Sequence, residues 1–89
     1  MVTKTLIVQN RAGIHARPSS LIVQTAAKFQ SNIMIEKADM KINAKSIMGI
    51  MTMAAGYQTE LTLLTEGPDE QAAADAIEQL FINKFEENS

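Results

Sequence analysis

His15 is the only histidine of the chain, and it stands in the stretch NRAGIHARPSS, residues 10 to 20. Asn10 to Gly13, just ahead of it, have the composition of a turn. Behind it, Pro18, Ile22, Ala26 and Phe29 recur at helical spacing and predict a helix of about three turns. The histidine therefore falls immediately before a helix start. Such starts expose N–H groups with no intrahelical acceptor and carry the positive end of the dipole, so together they bind anions. Pro18 suits the first turn, where its missing N–H costs no helical bond. Ala16 and Arg17 remain as the backbone donors. Arg17 adds a planar guanidinium fork that matches phosphoryl oxygens. An imidazole nitrogen placed here is a nucleophile toward phosphorus, and Gly13 permits the chain reversal that exposes the ring.

The constellation lacks the parts of an enzyme. No second histidine and no adjacent carboxylate completes a hydrolase triad, and nothing resembles a nucleotide-binding glycine loop or a metal-bound water. No cofactor is called for. The residues suffice to accept a phosphoryl group and hold it, which is the work of a carrier.

The elements that must position this site follow from the patterning. TKTLIVQ is rich in residues that favour strands. SNIMIEKADMKIN alternates, with Ile33 and Ile35 on one face, Met40 and Ile42 expected to join them, and Lys37 to Asp39 as the hairpin turn. IMGIMTM, after Ser46, suits a helix of about two turns capped by the serine hydroxyl. ELTLLTE reads as a fourth strand with Leu61, Leu63 and Thr65 inward. Gly67 and Pro68 end it, and Asp69 is expected to cap a last helix carrying Ala73, Ala76, Ile77, Leu80 and Phe81. The end, EENS from Glu86, is expected to be a disordered tail. The order β-α-β-β-α-β-α implies an α+β fold, a four-stranded antiparallel sheet with three helices on one face.

Composition narrows the function classes. Eighty-nine residues without repeats or linkers make one domain, 1–89. There is no cysteine, so disulfides and thiolate metal sites are excluded, and with a single histidine no metal site is expected. A formal charge of −2 and four aromatic residues argue against a nucleic-acid binder. No apolar run approaches the ~18 residues of a membrane span, and the start reads as a strand, not a signal peptide. The expectation is a cytoplasmic monomer.

GIHARP followed about thirty residues later by KSIMG resembles the HPr family, the histidine-containing phosphocarriers of the bacterial sugar phosphotransferase system. The likeness covers essentially the whole chain. It implies an open-faced β-sandwich with strand order 1, 4, 2, 3. It also implies that His15 accepts a phosphoryl group on Nδ1 from phosphorylated Enzyme I, that Arg17 is the phosphate partner, and that the group passes to an enzyme IIA component. Ser46 resembles the regulatory serine of the family, a target of HPr kinase/phosphorylase, whose phosphorylated form engages a catabolite-control transcription factor. The helix-cap reading of Ser46 holds in either case.

Six methionines in a short chain usually fill core gaps, and Met40 and Met53 are read that way. Met48 and Met51 fall on one side of the short helix, with Ile47, Ile50 and Ala54 on the other. The resemblance makes Met48 and Met51, with Ile47, part of a docking patch that Pro18, Ser20, Leu21 and Gln24 extend along the first helix. Methionine's flexible side chain suits a surface that must fit several partners. Three places depart from the family pattern: Ala38-Asp39 replaces the usual Asn-Gly hairpin turn, with Asp39 expected to take a positive φ, and Ala54 and Gln58 each stand where glycine is common. Two rivals are a carrier of the nitrogen-related branch and a purely regulatory module that binds a transcription factor. KSIMGIM favours the sugar branch, and the presence of His15 argues against regulation as the only role.

Overall fold

The computed structural model describes residues 1–86 of the chain. β1 spans Val2–Ile7, α1 Ala16–Ala26, β2 Asn32–Lys37, β3 Met40–Asn43, α2 Ile47–Met53, β4 Glu60–Glu66 and α3 Glu70–Ile82, and a 3-10 turn follows at Lys84–Glu86. The four strands form one antiparallel sheet in the order β1-β4-β2-β3. Each helical crossover skips a strand, so no parallel neighbours arise and the helices cover one face.

Period-two patterning decides that face. Leu6, Val8, Ile33, Ile35, Leu61, Leu63 and Thr65 are buried, while Thr62 and Leu64 between them are only partly covered. Ile22, Ala26, Ile50, Met53, Ala73, Ala74, Ile77 and Phe81 close the core from the helices. Each fully buried Ile, Leu or Phe contributes about 1.5–3 kcal/mol relative to exposure. The ambiguous alternation of β1 is resolved by Lys4. It lies in the inward register, yet its ammonium escapes to the edge of α3, 3.1 Å from Glu78 and 3.7 Å from Asp75.

Several expectations are corrected. Met40 is not core: β3 is a short edge strand, and Met40, opposite Lys37, is exposed beside the hairpin turn. The turn is the two residues Ala38 and Asp39, and the positive φ of 54° falls on Ala38. Lys37 belongs to β2, and its ammonium donates to the carbonyls of Met53 and Ala54 at 3.0 and 3.4 Å, capping the end of α2. Ala76 and Leu80 are half-buried, and Ala74 takes the fully buried place on α3.

Asp69 is the N-cap residue of α3 but its side chain makes no capping bond. Its carboxylate accepts instead from the Gln30 and Ser31 N–H groups at 3.0 and 2.9 Å and from the Ser31 hydroxyl at 2.5 Å. Glu70 reaches back to the Gly67 N–H at 3.1 Å and pairs with the amino group of Met1 at 2.9 Å. The Ser31 hydrogen bonds hold Asp69 below the usual carboxylate range, and the Met1 ammonium does the same for Glu70.

Of the tail expected from Glu86, residues 87–89 lie outside the described residues, and Glu86 is part of the 3-10 turn. That turn is left-handed, with φ of 53°, 55° and 63° at Lys84, Phe85 and Glu86. Phe85 is fully buried and packs edge-on against Phe81, ring centroids 4.9 Å apart.

Candidate functional site

The loop before α1 is built by Asn10 and Gly13. Asn10 is buried, its side-chain amide donating to the Gly13 carbonyl at 2.7 Å while its own carbonyl accepts from the Gly13 N–H at 3.1 Å. Gly13 adopts φ 76°, and a Cβ there would stand 2.8 Å from the Ala55 carbonyl oxygen. Both backbone sign and space require glycine at this position. The Ile14 N–H then donates to that same carbonyl at 2.8 Å, which ties the loop to the chain leaving α2.

His15 follows as the N-cap of α1, in extended conformation, with its carbonyl accepting from Ser19 N–H at 2.9 Å. Its side chain makes no capping bond and is exposed. Ala16 and Arg17, also exposed, form the first helical turn, whose N–H groups lack carbonyls one turn earlier. The Arg17 guanidinium lies 3.5 Å from the Phe85 carbonyl and 3.9 Å from the Glu86 carboxylate. Both contacts are long, and Arg17 itself is exposed.

The expected docking residues are only partly surface. Pro18 is buried and gives the patch no area. Ser20 and Leu21 are half-buried and Gln24 is exposed, its amide donating to the Ser20 hydroxyl at 3.0 Å. On α2, Met48 is 71% exposed, Met51 45% and Ile47 42%, whereas Ile50 is fully buried. α2 packs against α1 and β3, so this methionine surface adjoins the helix that His15 begins. Ile47 and Ala54, expected on the side of Ile50, are both exposed, and Ala54 forms a left-handed C-cap at φ 52°.

Ser46 caps α2: its hydroxyl, on an exposed residue, accepts from the Gly49 N–H at 3.1 Å. Sequence reasoning missed two contributors to the site. The Phe85 carbonyl meets Arg17 across sixty-eight positions, and the Ala55 carbonyl holds the loop. Neither is a side-chain signal. Only the apolar Phe85, four residues after Phe81, hinted that the chain continues to pack beyond α3.

Residues 2–83 match the family model described as the PTS HPr component phosphorylation site. The chain is 62% identical over 87 residues to the phosphocarrier protein HPr of Treponema pallidum, covering 98% of this chain and 99% of that one. It is 51% identical over 77 residues to the HPr-like protein Crh of Halalkalibacterium halodurans, covering 86% and 92%. Its fold superposes on a crystal structure of HPr-C-His from Thermoanaerobacter tengcongensis with a TM-score of 0.96, at 45% identity and full coverage of both chains.

Proposed function

The chain belongs to the PTS HPr family of phosphocarriers, and we propose that it accepts a phosphoryl group on His15 from phosphorylated Enzyme I and passes it to enzyme IIA components for sugar uptake. It is a stoichiometric carrier, not an enzyme. In acceptance, the Nδ1 lone pair attacks phosphorus, the N–P bond forms, and the bond from phosphorus to the donor's leaving atom breaks. Donation reverses this, with His15 as the leaving group. The first-turn N–H groups of Ala16 and Arg17 and the Arg17 fork receive the phosphoryl oxygens.

The observation that carries this reading is the exposed imidazole at the start of α1, two residues before Arg17. Enzyme I and the IIA component dock on Ile47, Met48 and Met51 and the exposed part of α1, and the carrier works as a cytoplasmic monomer. Among the described residues no helix is long and apolar enough to cross a membrane. Incubation with phosphoenolpyruvate and Enzyme I should add one phosphate by intact mass, labile to acid and stable to base, and His15→Ala should abolish it. Labelling that persists in His15→Ala would overturn the assignment. A carrier must not hold its cargo too tightly, because each ~1.4 kcal/mol of excess stabilisation slows donation about tenfold. Arg17 serves both directions only by holding the phosphoryl oxygens more strongly in the transition state, so Arg17→Ala should slow acceptance and donation with the fold intact, and Arg17→Lys should restore transfer only in part.

Regulation acts at Ser46, which an HPr kinase/phosphorylase modifies and a catabolite-control transcription factor then reads. The exposed serine and the likeness to a Crh protein support this part. Labelling with kinase and ATP but none with Enzyme I would leave regulation as the chain's only role.

A further inference from the structure

Two of the left-handed residues that are not glycine, Gln58 at φ 68° and Lys84 at φ 53°, stand on the rim of one surface pocket. Ile7, Val8, Gln9 and Tyr57 complete its lining, and its volume is about 200 Å³. The pocket forms where the end of β1 meets the loop into β4, through Gln58 N–H to the Val8 carbonyl at 2.7 Å and Val8 N–H to the Thr59 carbonyl at 3.0 Å. The turn after α3 supplies the third wall. Strained non-glycine backbone gathers at ligand clamps more often than elsewhere, because the surrounding structure must hold it against its cost.

The lining is mostly polar, with Ile7, 38% exposed, and Tyr57, 48% exposed, as its larger side chains. The Gln9 and Gln58 amides, the Tyr57 hydroxyl and the Lys84 ammonium make no side-chain hydrogen bond or ion pair among the described residues, so each can serve an occupant. Glu60, across the strand pair from Ile7, is outside the lining. A lysine in a mostly polar lining selects an anion. A volume below the ~300–1,000 Å³ of drug-sized sites limits it to about one ring.

We propose that this pocket binds a small organic anion: Lys84 takes the charged group, the two glutamine amides supply flanking hydrogen bonds, and Ile7 and Tyr57 border the remainder. The site is separate from the phosphoryl acceptor but touches it through the chain. Lys84 directly precedes Phe85, whose carbonyl meets the Arg17 guanidinium. An occupant that fixes Lys84 therefore also fixes an acceptor that engages Arg17.

The test is a titration of the isotope-labelled full chain with benzoate, followed by backbone amide shifts, with benzamide as the neutral twin. Benzoate should give saturable shifts at Ile7, Gln9, Gln58 and Lys84, with a dissociation constant on the order of millimolar for so small a ligand. Benzamide should bind roughly three- to fivefold more weakly, and Lys84→Gln should weaken benzoate by a similar factor. Gln58→Gly should lose affinity while its thermal midpoint rises, as expected where strain is kept for binding. Absence of saturable shifts at these residues overturns the proposal. So does wild-type affinity in Lys84→Gln or Gln58→Gly, or equal binding of benzamide.

Discussion

The starts of α1 and α2 place two polar residues at the same helical position and use them in opposite ways. Ser46 turns its oxygen inward to the Gly49 N–H and closes its helix. His15 is exposed and makes no side-chain capping bond to its helix. α1 forgoes the stabilisation a good cap would add, and on the function proposed above this is what lets nucleophile and anion site stand together. The glycine turn ahead of it, not a cap, sets where the ring stands.

The sharpest way to break that contrast is Gly13→Ala. A left-handed alanine whose Cβ meets a carbonyl oxygen at 2.8 Å should lose about 2–4 kcal/mol of stability in urea unfolding. Wild-type stability in that variant would mean the turn is not the anchor of the site. Ser46→Ala should cost about 1 kcal/mol, and His15→Ser should instead gain about 0.5–1 kcal/mol while losing phosphoryl acceptance altogether. A destabilised His15→Ser would show that the imidazole already supports the helix start.

A smaller stability effect and a larger functional one are expected at Ser46→Asp. Aspartate is as good a cap, and its charge suits a helix start by roughly 0.3–1 kcal/mol, so the thermal midpoint should hold. Acceptance from Enzyme I should slow, because the new charge borders Ile47 and Met48, where a docking partner must exclude water. A true phosphate, at about −1.5 to −2 charges, should slow it further. Transfer as fast as wild type in both forms would leave Ser46 a cap and nothing more.

The start of α3 supplies a third case, read out by pH. Asp69 and Glu70 are held below their ordinary values in the folded chain. The stability they lend is present above the usual carboxylate range and is lost as pH falls through their depressed values. The Met1 ammonium is raised by Glu70. Its contribution is full below its ordinary value and fades as pH rises through the raised one. Asp69→Asn should flatten the acid limb of the stability profile by a small amount, and an unchanged limb would remove Asp69 from it.

These contrasts also show what the residues alone disclose. Strand alternation, the Ser46 cap, the Gly13 turn and the position of His15 before its helix are local patterns, and local patterns are legible. Asp69 reads as a cap by type, but Ser31, thirty-eight positions earlier, claims its carboxylate. Met40 reads as core by alternation, but it lies on an edge strand and is exposed. Phe85 joins the core through a left-handed turn that no periodicity announces. Positive φ falls on Ala38, Ala54 and Gln58, none of them a residue type that announces it, and at the hairpin the expectation points one residue later, to Asp39. In each case a distant partner or an edge decides, and neither is written in neighbouring residues.

The placement of β1 against β4 has a consequence in time. Its pairing partners lie 53 to 63 positions further along the chain. At roughly 5–20 residues per second of synthesis, β1 waits several seconds for them. Until then α1 and the β2–β3 hairpin can form only a partial sheet, and closing so long a loop costs entropy before any pairing offsets it. Folding of this carrier therefore completes only after β4 has left the ribosome, and strand β1 is the piece of chain that must be kept soluble while it waits.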